Sequence, residues 1–214
     1  MKEMGLQYMK KINELPEGFL NPSKKNSIQY LDERSKVLFP WYSKPFLDFL
    51  KTLETSNWDV FEYGAGFSTL WYAVNCKSIT SVENDQSWST GVSSYIKSVG
   101  LDNANVMYEP GGPNIFEEGE NSSYVMSIYK TDQLYDVVVV DGVHRNTCVK
   151  HAIKKIKPGG MLIFDNFNQK SIGGSCDAVL EELKKYEHKS FLHPIEMHPN
   201  KIADWLTDCW IINE

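Results

Sequence analysis

Val60-Phe-Glu-Tyr-Gly-Ala-Gly-Phe-Ser-Thr-Leu-Trp71 decides the fold. The stretch opens on β-prone residues, breaks at Gly64 and Gly66, and continues at Phe67 with a helical pattern that runs to 75. A strand that passes into a helix through two glycines makes a tight turn whose backbone can approach a ligand closely. Outward from this turn the alternation repeats. Segments 58–63, 78–83, 105–109, 135–141 and 161–165 read as strands. Segments 67–75, 85–99, 124–130, 146–156 and 178–186 read as helices. Val137 to Val140 shows no polar alternation, so both faces of that strand are expected to be buried. Pro158-Gly-Gly160 reads as a turn, and 110–123 as a long loop. Two further strands are expected at 191–195 and 205–212. About nine residues between them are too few for a parallel crossover, so they form an antiparallel pair.

The composition is that of a folded globule. Of 214 residues, 42% are apolar and 23% charged, which excludes a disordered or fibrous chain. The first 20 residues lack the apolar core of a secretory signal, and no run is long enough for a membrane span. Cys76, Cys148, Cys176 and Cys209 fit neither a zinc module nor a disulfide framework and read as thiols in a reducing compartment. The expectation is a cytoplasmic protein without a membrane partner; no oligomeric state is indicated. The net charge is −6, which points away from nucleic acid as a partner. Residues 1–54 read as an arm and helical lead-in, with a helix from Ser43 to Glu54 that Ser43 caps and Pro45 opens. Residues 55–214 carry the alternating pattern.

In open parallel sheets ligands bind beyond the carboxyl ends of the strands, and the polar residues gather there. Glu62, Gly64 and Gly66 close the first strand, Glu83 the second, Asp141 and His144 the fourth, Asp165 and Asn166 the fifth. Glu83 lies 19 residues after Gly64, the offset of a carboxylate that holds ribose hydroxyls, so a nucleoside ligand is implied. A dinucleotide fits poorly. Thr69 stands where the third glycine of its fingerprint belongs, and Glu62 would face a pyrophosphate. No phosphate-binding G-x-x-x-x-G-K-[ST] loop exists.

The chain resembles the class I S-adenosylmethionine-dependent methyltransferases. The resemblance rests on the 60–71 stretch, then Ser81-Val-Glu83, Tyr135-Asp-Val-Val-Val-Val-Asp-Gly142 and Lys157-Pro-Gly-Gly-Met-Leu-Ile-Phe-Asp-Asn166, in that order. A looser likeness runs to small bacterial methyltransferases of unassigned substrate, through Pro40-Trp41 and Asp141-Gly-x-x-Arg145. The resemblance implies a Rossmann-like, doubly wound, mostly parallel seven-stranded sheet with an antiparallel last strand and helices on both faces. It implies S-adenosylmethionine as cofactor, held by Glu62, Tyr63, Gly64, Ala65, Gly66, Ser68, Glu83, Asn84 and Asp141. Ser68 reads equally as a helix cap, and Trp88 as core or as adenine packing.

The implied reaction is methyl transfer to a small-molecule acceptor bearing an O or N nucleophile. His144 would act as base, oriented by Asp141, and Arg145 would hold an anionic substrate group. Trp41, Tyr42, Phe46 and the 110–123 loop would wall the cofactor, or the aromatics only pack the N-terminal helix onto the sheet. Asp141, Asp165 and Asn166 offer hard oxygens of the kind that holds Mg²⁺ in catechol-type relatives, but no metal is assigned. Competing readings are an NAD-dependent oxidoreductase, an aminopropyl transferase and a non-catalytic nucleoside-cofactor module.

Overall fold

The valine run becomes the middle of the sheet. In the computed structural model β4 (Tyr135–Val140) lies between β1 (Asp59–Tyr63) and β5 (Ile156–Asp165), parallel to both. Val137 and Val139 face one core, Val138 and Val140 the other. Period-two alternation within an all-apolar strand thus builds two hydrophobic layers at once. The structure describes residues 40–112, 121–167, 177–194 and 204–213. The arm over 1–39, the centre of the long loop at 113–120 and Cys176 lie outside them.

From β1 the chain steps outward through α2 and α3 and two more strands. Here α1 is Lys44–Leu50, before β1; α2 is Phe67–Asn75, β2 Ser78–Glu83, α3 Gln86–Ser98 and β3 Ala104–Tyr108. It then returns to the far side of β1 through α4 (Ser123–Met126), β4, α5 (Arg145–Ala152) and β5. The last elements are α6 (Asp177–Leu183), β6 (Glu187–His193) and β7 (Trp205–Ile212). The sheet order is β3-β2-β1-β4-β5-β7-β6. Only β7 runs against the rest, pairing antiparallel with both β5 and β6. This is the expected seven-stranded architecture, with helices on both faces.

Differences are local. The Pro158-Gly-Gly160 turn lies inside β5, which already pairs at Ile156 with Tyr135. A register shift between Tyr135 and Val137 absorbs it, with Gly159 at φ +83°. The helix expected over 146–156 ends at Ala152 and tightens into a 3-10 turn, Ile153–Lys155. β6 starts four residues earlier than its sequence pattern. Ser43 does not cap α1 with its side chain; its backbone N–H donates instead to Thr207 Oγ1 at 2.9 Å.

Residues Tyr42, Phe46 and Leu50 of the lead-in are buried in the same core as Val60, Val137 and Ile163. Phe46 meets Phe191 edge-on at 5.3 Å, and Phe49 stacks on it at 5.0 Å. The strand order reverses between β1 and β4, so the crevice at their carboxyl ends is the natural ligand position.

Candidate functional site at the switch point

Two glycines let the ends of β1 and β4 touch. Gly64 has φ +96°, and a Cβ there would lie 3.0 Å from the Asp141 carbonyl oxygen. A Cβ on Gly142 would lie 1.9 Å from the Tyr124 hydroxyl and 2.9 Å from Gly64 N. Backbone thus packs on backbone at the reversal point, which only glycine permits. Asp141 N–H donates to Tyr63 O at 2.9 Å, continuing the ladder into the turn.

All three amides of the loop have internal partners. Gly64 N–H donates to Val82 O (2.8 Å), Ala65 N–H to Glu83 Oε2 (3.0 Å) and Gly66 N–H to Thr69 Oγ1 (2.9 Å). The Ala65 carbonyl accepts from the Trp88 indole at 2.6 Å. Phosphate cradles need unpartnered N–H groups and positive potential, and here carboxylates occupy that role. Thr69, which breaks the dinucleotide fingerprint, is the residue that accepts from Gly66.

Glu83 stands at the end of β2. Its Oε1 accepts from the N–H of Asn84 and of Asp85, both at 2.8 Å, and its Oε2 from Ala65. Three backbone donors fix the carboxylate beside the glycine loop. The following helix, α3, is capped by Asp85 through the Trp88 N–H at 3.0 Å.

Glu62 is fully buried, and its oxygens accept from the hydroxyls of Ser68, Thr69 (2.5 Å) and Ser81 (2.6 Å). Burial pushes its carboxyl up to about 7 against the pull of these three hydroxyls. Glu62 and Ser68 therefore shape the loop from beneath, and Ser68's hydroxyl is occupied by Glu62. Tyr63 is also buried, with its hydroxyl donating to Val125 O at 2.7 Å. What Tyr63 gives the site is its backbone. Thr69 and Ser81 complete the Glu62 network; the sequence reading used Thr69 only as the break in the dinucleotide fingerprint and Ser81 only as part of the Ser81-Val-Glu83 motif, not as partners of Glu62.

On the acceptor side the expected pairing of His144 with Asp141 does not form. The Asp141 carboxylate pairs instead with Arg145, NH2 to Oδ1 at 3.0 Å. His144 is 6% exposed; its Nε2 donates to Gly111 O, and Nδ1 has no partner among the described residues. Its backbone is left-handed (φ 52°, ψ 37°), and its ring lies 6.4 Å from that of Tyr124, centroid to centroid. Arg145 is likewise engaged within the fold, which removes it from service as a substrate-anion receptor.

Asp165 is buried at the end of β5. It accepts from the Trp205 indole (3.0 and 3.1 Å) and from Thr207 Oγ1 (2.5 Å). Burial, then the charge of Asp141, raises its carboxyl well above the ordinary range. Asp165 is thus engaged by Trp205 and Thr207, and no cluster of three His, Cys, Asp or Glu suited to a metal exists among the described residues. Trp205 and Thr207 lie about 40 residues from Asp165 in sequence and reach it only through the β5–β7 register, Asp165 opposite Thr207.

Aromatic groups edge the loop. Trp41 lies against Phe67 with ring centroids 6.1 Å apart. Trp88 reaches within 3.9 Å of the position a Cβ on Gly66 would take. Tyr42 is buried, its hydroxyl 3.3 Å from that of Tyr72. Phe46 packs in the core.

No family model and no curated protein matches the sequence. Solved structures do match. The N-methyltransferase NodS of Bradyrhizobium japonicum with S-adenosyl-L-homocysteine is 15% identical over 94% of this chain and 98% of its own, with a TM-score of 0.58. An rRNA methylase from Streptococcus thermophilus is 14% identical over 82% of this chain and all of its own, with a TM-score of 0.55. A methyltransferase from Thiobacillus denitrificans with S-adenosyl-L-homocysteine is 10% identical over 80% and 92%, with a TM-score of 0.52. The fold is that of the class I S-adenosylmethionine-dependent methyltransferases.

The rRNA methylase overturns one expectation, that the partner is a small molecule and nucleic acid is excluded. Net charge is a sum over the whole surface, whereas RNA is gripped by local basic patches. No helix among the described residues is long and apolar enough to cross a membrane.

Proposed function

We propose that the chain is an S-adenosylmethionine-dependent methyltransferase that binds its cofactor across Glu62–Gly66 and Glu83 and methylates an oxygen or nitrogen nucleophile beside Asp141. One observation carries the reading: the amides of Gly64, Ala65 and Gly66 are all internally bonded beneath a carboxylate that faces the ribose position. A ligand with a pyrophosphate gains nothing from such a loop. A cationic nucleoside without phosphate suits it, and the residues present fit one.

The bound cofactor supplies a methyl group on an electrophilic sulfonium. The chain's own residues bind and align. Glu83 takes the ribose hydroxyls, Trp88 backs the loop on the side of α3, and Gly64 and Gly142 bring the loop against Asp141. Asp141, a quarter exposed, is the carboxylate available to receive an acceptor proton. Its position next to the crevice contributes chiefly by alignment at about 3–3.5 Å. The division into a lead-in over 1–54 and a cofactor domain over 55–214, and a cytoplasmic location, belong to the same reading.

Titration calorimetry with S-adenosylmethionine, its decarboxylated form and NAD tests the cofactor. Binding of the first and not of NAD is expected; tight NAD binding ends the proposal. Radiolabelled S-adenosylmethionine incubated with a small-metabolite extract and, separately, with ribosomal RNA then reports the acceptor class. Binding without transfer to either pool would favour the non-catalytic module.

A further inference from the structure

Arg145 is the first residue of α5, yet its side chain turns back toward the strand before it. Nε donates to Gly142 O at 2.8 Å. NH2 donates both to the backbone oxygen and to Oδ1 of Asp141, each at 3.0 Å. NH1 donates to Asp165 O, at the end of the neighbouring strand. Four of the five N–H groups of the guanidinium are thus engaged, in a side chain belonging to a residue only 5% exposed. The left-handed conformation of His144 reverses the chain immediately before Arg145 and aims it backwards. A helix-opening arginine in an ordinary turn would point into solvent.

The groups around Asp141 make this contact consequential. Asp165 from β5, Glu62 from β1, the Tyr42 hydroxyl from the lead-in and the Tyr72 hydroxyl from α2 all act electrostatically with it. Each is neutral or negative. Arg145 supplies the positive charge in this group, and its planar fork reaches carboxylate and carbonyl together, which an ammonium does not. Because Asp141 O also abuts Gly64, the same contact holds the turn against the glycine loop.

We propose that Arg145 is a positioning residue: its fork fixes the Asp141 carboxylate and the ends of β4 and β5 in the arrangement that receives the acceptor's proton. This rests on the methyl-transfer reading. In the step concerned, the lone pair of the acceptor O or N forms the bond to the methyl carbon. The carbon–sulfur pair returns to sulfur, and the acceptor's proton passes to Asp141.

The test uses the full chain as wild type, Arg145→Lys and Arg145→Met, with the side-chain carboxyl of Asp141 followed by ¹³C NMR against pH. Asp141 is expected to titrate at least about one pH unit higher in Arg145→Met, with Arg145→Lys between. An unchanged Asp141 titration overturns the proposal, and Arg145→Lys alone decides it if the Met variant does not fold. The second arm measures transfer from radiolabelled S-adenosylmethionine to whichever extract accepts methyl. Arg145→Met should lower kcat about 100-fold in the native background and less than about 3-fold in Asp141→Asn. An equal loss in both backgrounds means mere scaffolding and also overturns it. Failure of wild type to bind S-adenosylmethionine would refute the methyl-transfer reading, while the Asp141 titration still decides the role of Arg145.

Discussion

The two ends of the parallel sheet carry carboxylates of opposite character. At the amino ends Asp59 and Asp136 meet lysines: Lys157 lies 2.8 Å from Asp136 and 3.4 Å from Asp59, and Lys77 lies 2.9 Å from Asp59. Burial works to raise the Asp59 carboxyl, but the bonds from Ser78 and Lys77 win and hold it below its ordinary value. At the carboxyl ends Glu62, Glu83 and Asp165 are held by hydroxyls, amides and an indole instead. Burial there raises Glu62 and Asp165. The first end is neutralised internally and serves stability. Burial thus favours the neutral forms of Glu62 and Asp165, while Glu83, held by three backbone amides, is the carboxylate that lies beside the glycine loop.

The comparison breaks first at Glu83. Glu83→Ala should weaken S-adenosylmethionine binding about 30- to 1000-fold, the loss of two hydrogen bonds to a charged group at roughly 2–4 kcal/mol. Calorimetry on the folded variant checks it. Unchanged affinity with an unchanged melting temperature would remove the ribose role.

Glu62 gives the next effect. Its folded value of about 7 exceeds the ordinary 4.5, so between these two pH values the native state binds more protons than the unfolded chain. Stability from this group is therefore fully present below about 4.5 and lost as pH rises through about 7, in total about 3 kcal/mol. Denaturant unfolding of wild type against Glu62→Gln across this window should show the slope in wild type and a flatter line in the variant. A wild-type stability contribution that rises with pH here would contradict a carboxylate whose burial outweighs its three hydroxyl donors.

At the opposite end Lys157→Met should cost at most about 1 kcal/mol, since the pairs are partly exposed, and leave cofactor affinity unchanged. A large change in affinity would show that the two ends are coupled. The smallest effect is expected from metal removal. With Asp165 bound to Trp205 and Thr207, EDTA treatment should leave turnover intact. Recovery of EDTA-abolished activity by Mg²⁺ would make Asp141, Asp165 and Asn166 ligands after all.

Legibility in the sequence followed the range of the interactions. The glycine turn, the 19-residue offset to Glu83 and the valine strand are local patterns, and the structure places all three at or beside the switch point. His144 and Arg145 show the limit. Three residues after Asp141, a histidine looks well placed for a base, and an arginine beside it looks ready for an anion. With His144 in a left-handed conformation, the imidazole is buried at Gly111 and the guanidinium turns back to Asp141.

What the sequence by itself determined is the alternation of strands and helices, the antiparallel closing pair and the crowding of polar residues at strand ends. These follow from side-chain periodicity and turn chemistry, which act over a few residues. Only the tertiary structure decided which polar groups face a ligand and which are consumed inside. Thr69 and Ser81 reach Glu62, and Trp205 and Thr207 reach Asp165, across strand and helix contacts. A buried carboxylate must find donors wherever packing offers them, and that choice belongs to register and chain reversal rather than to spacing along the chain.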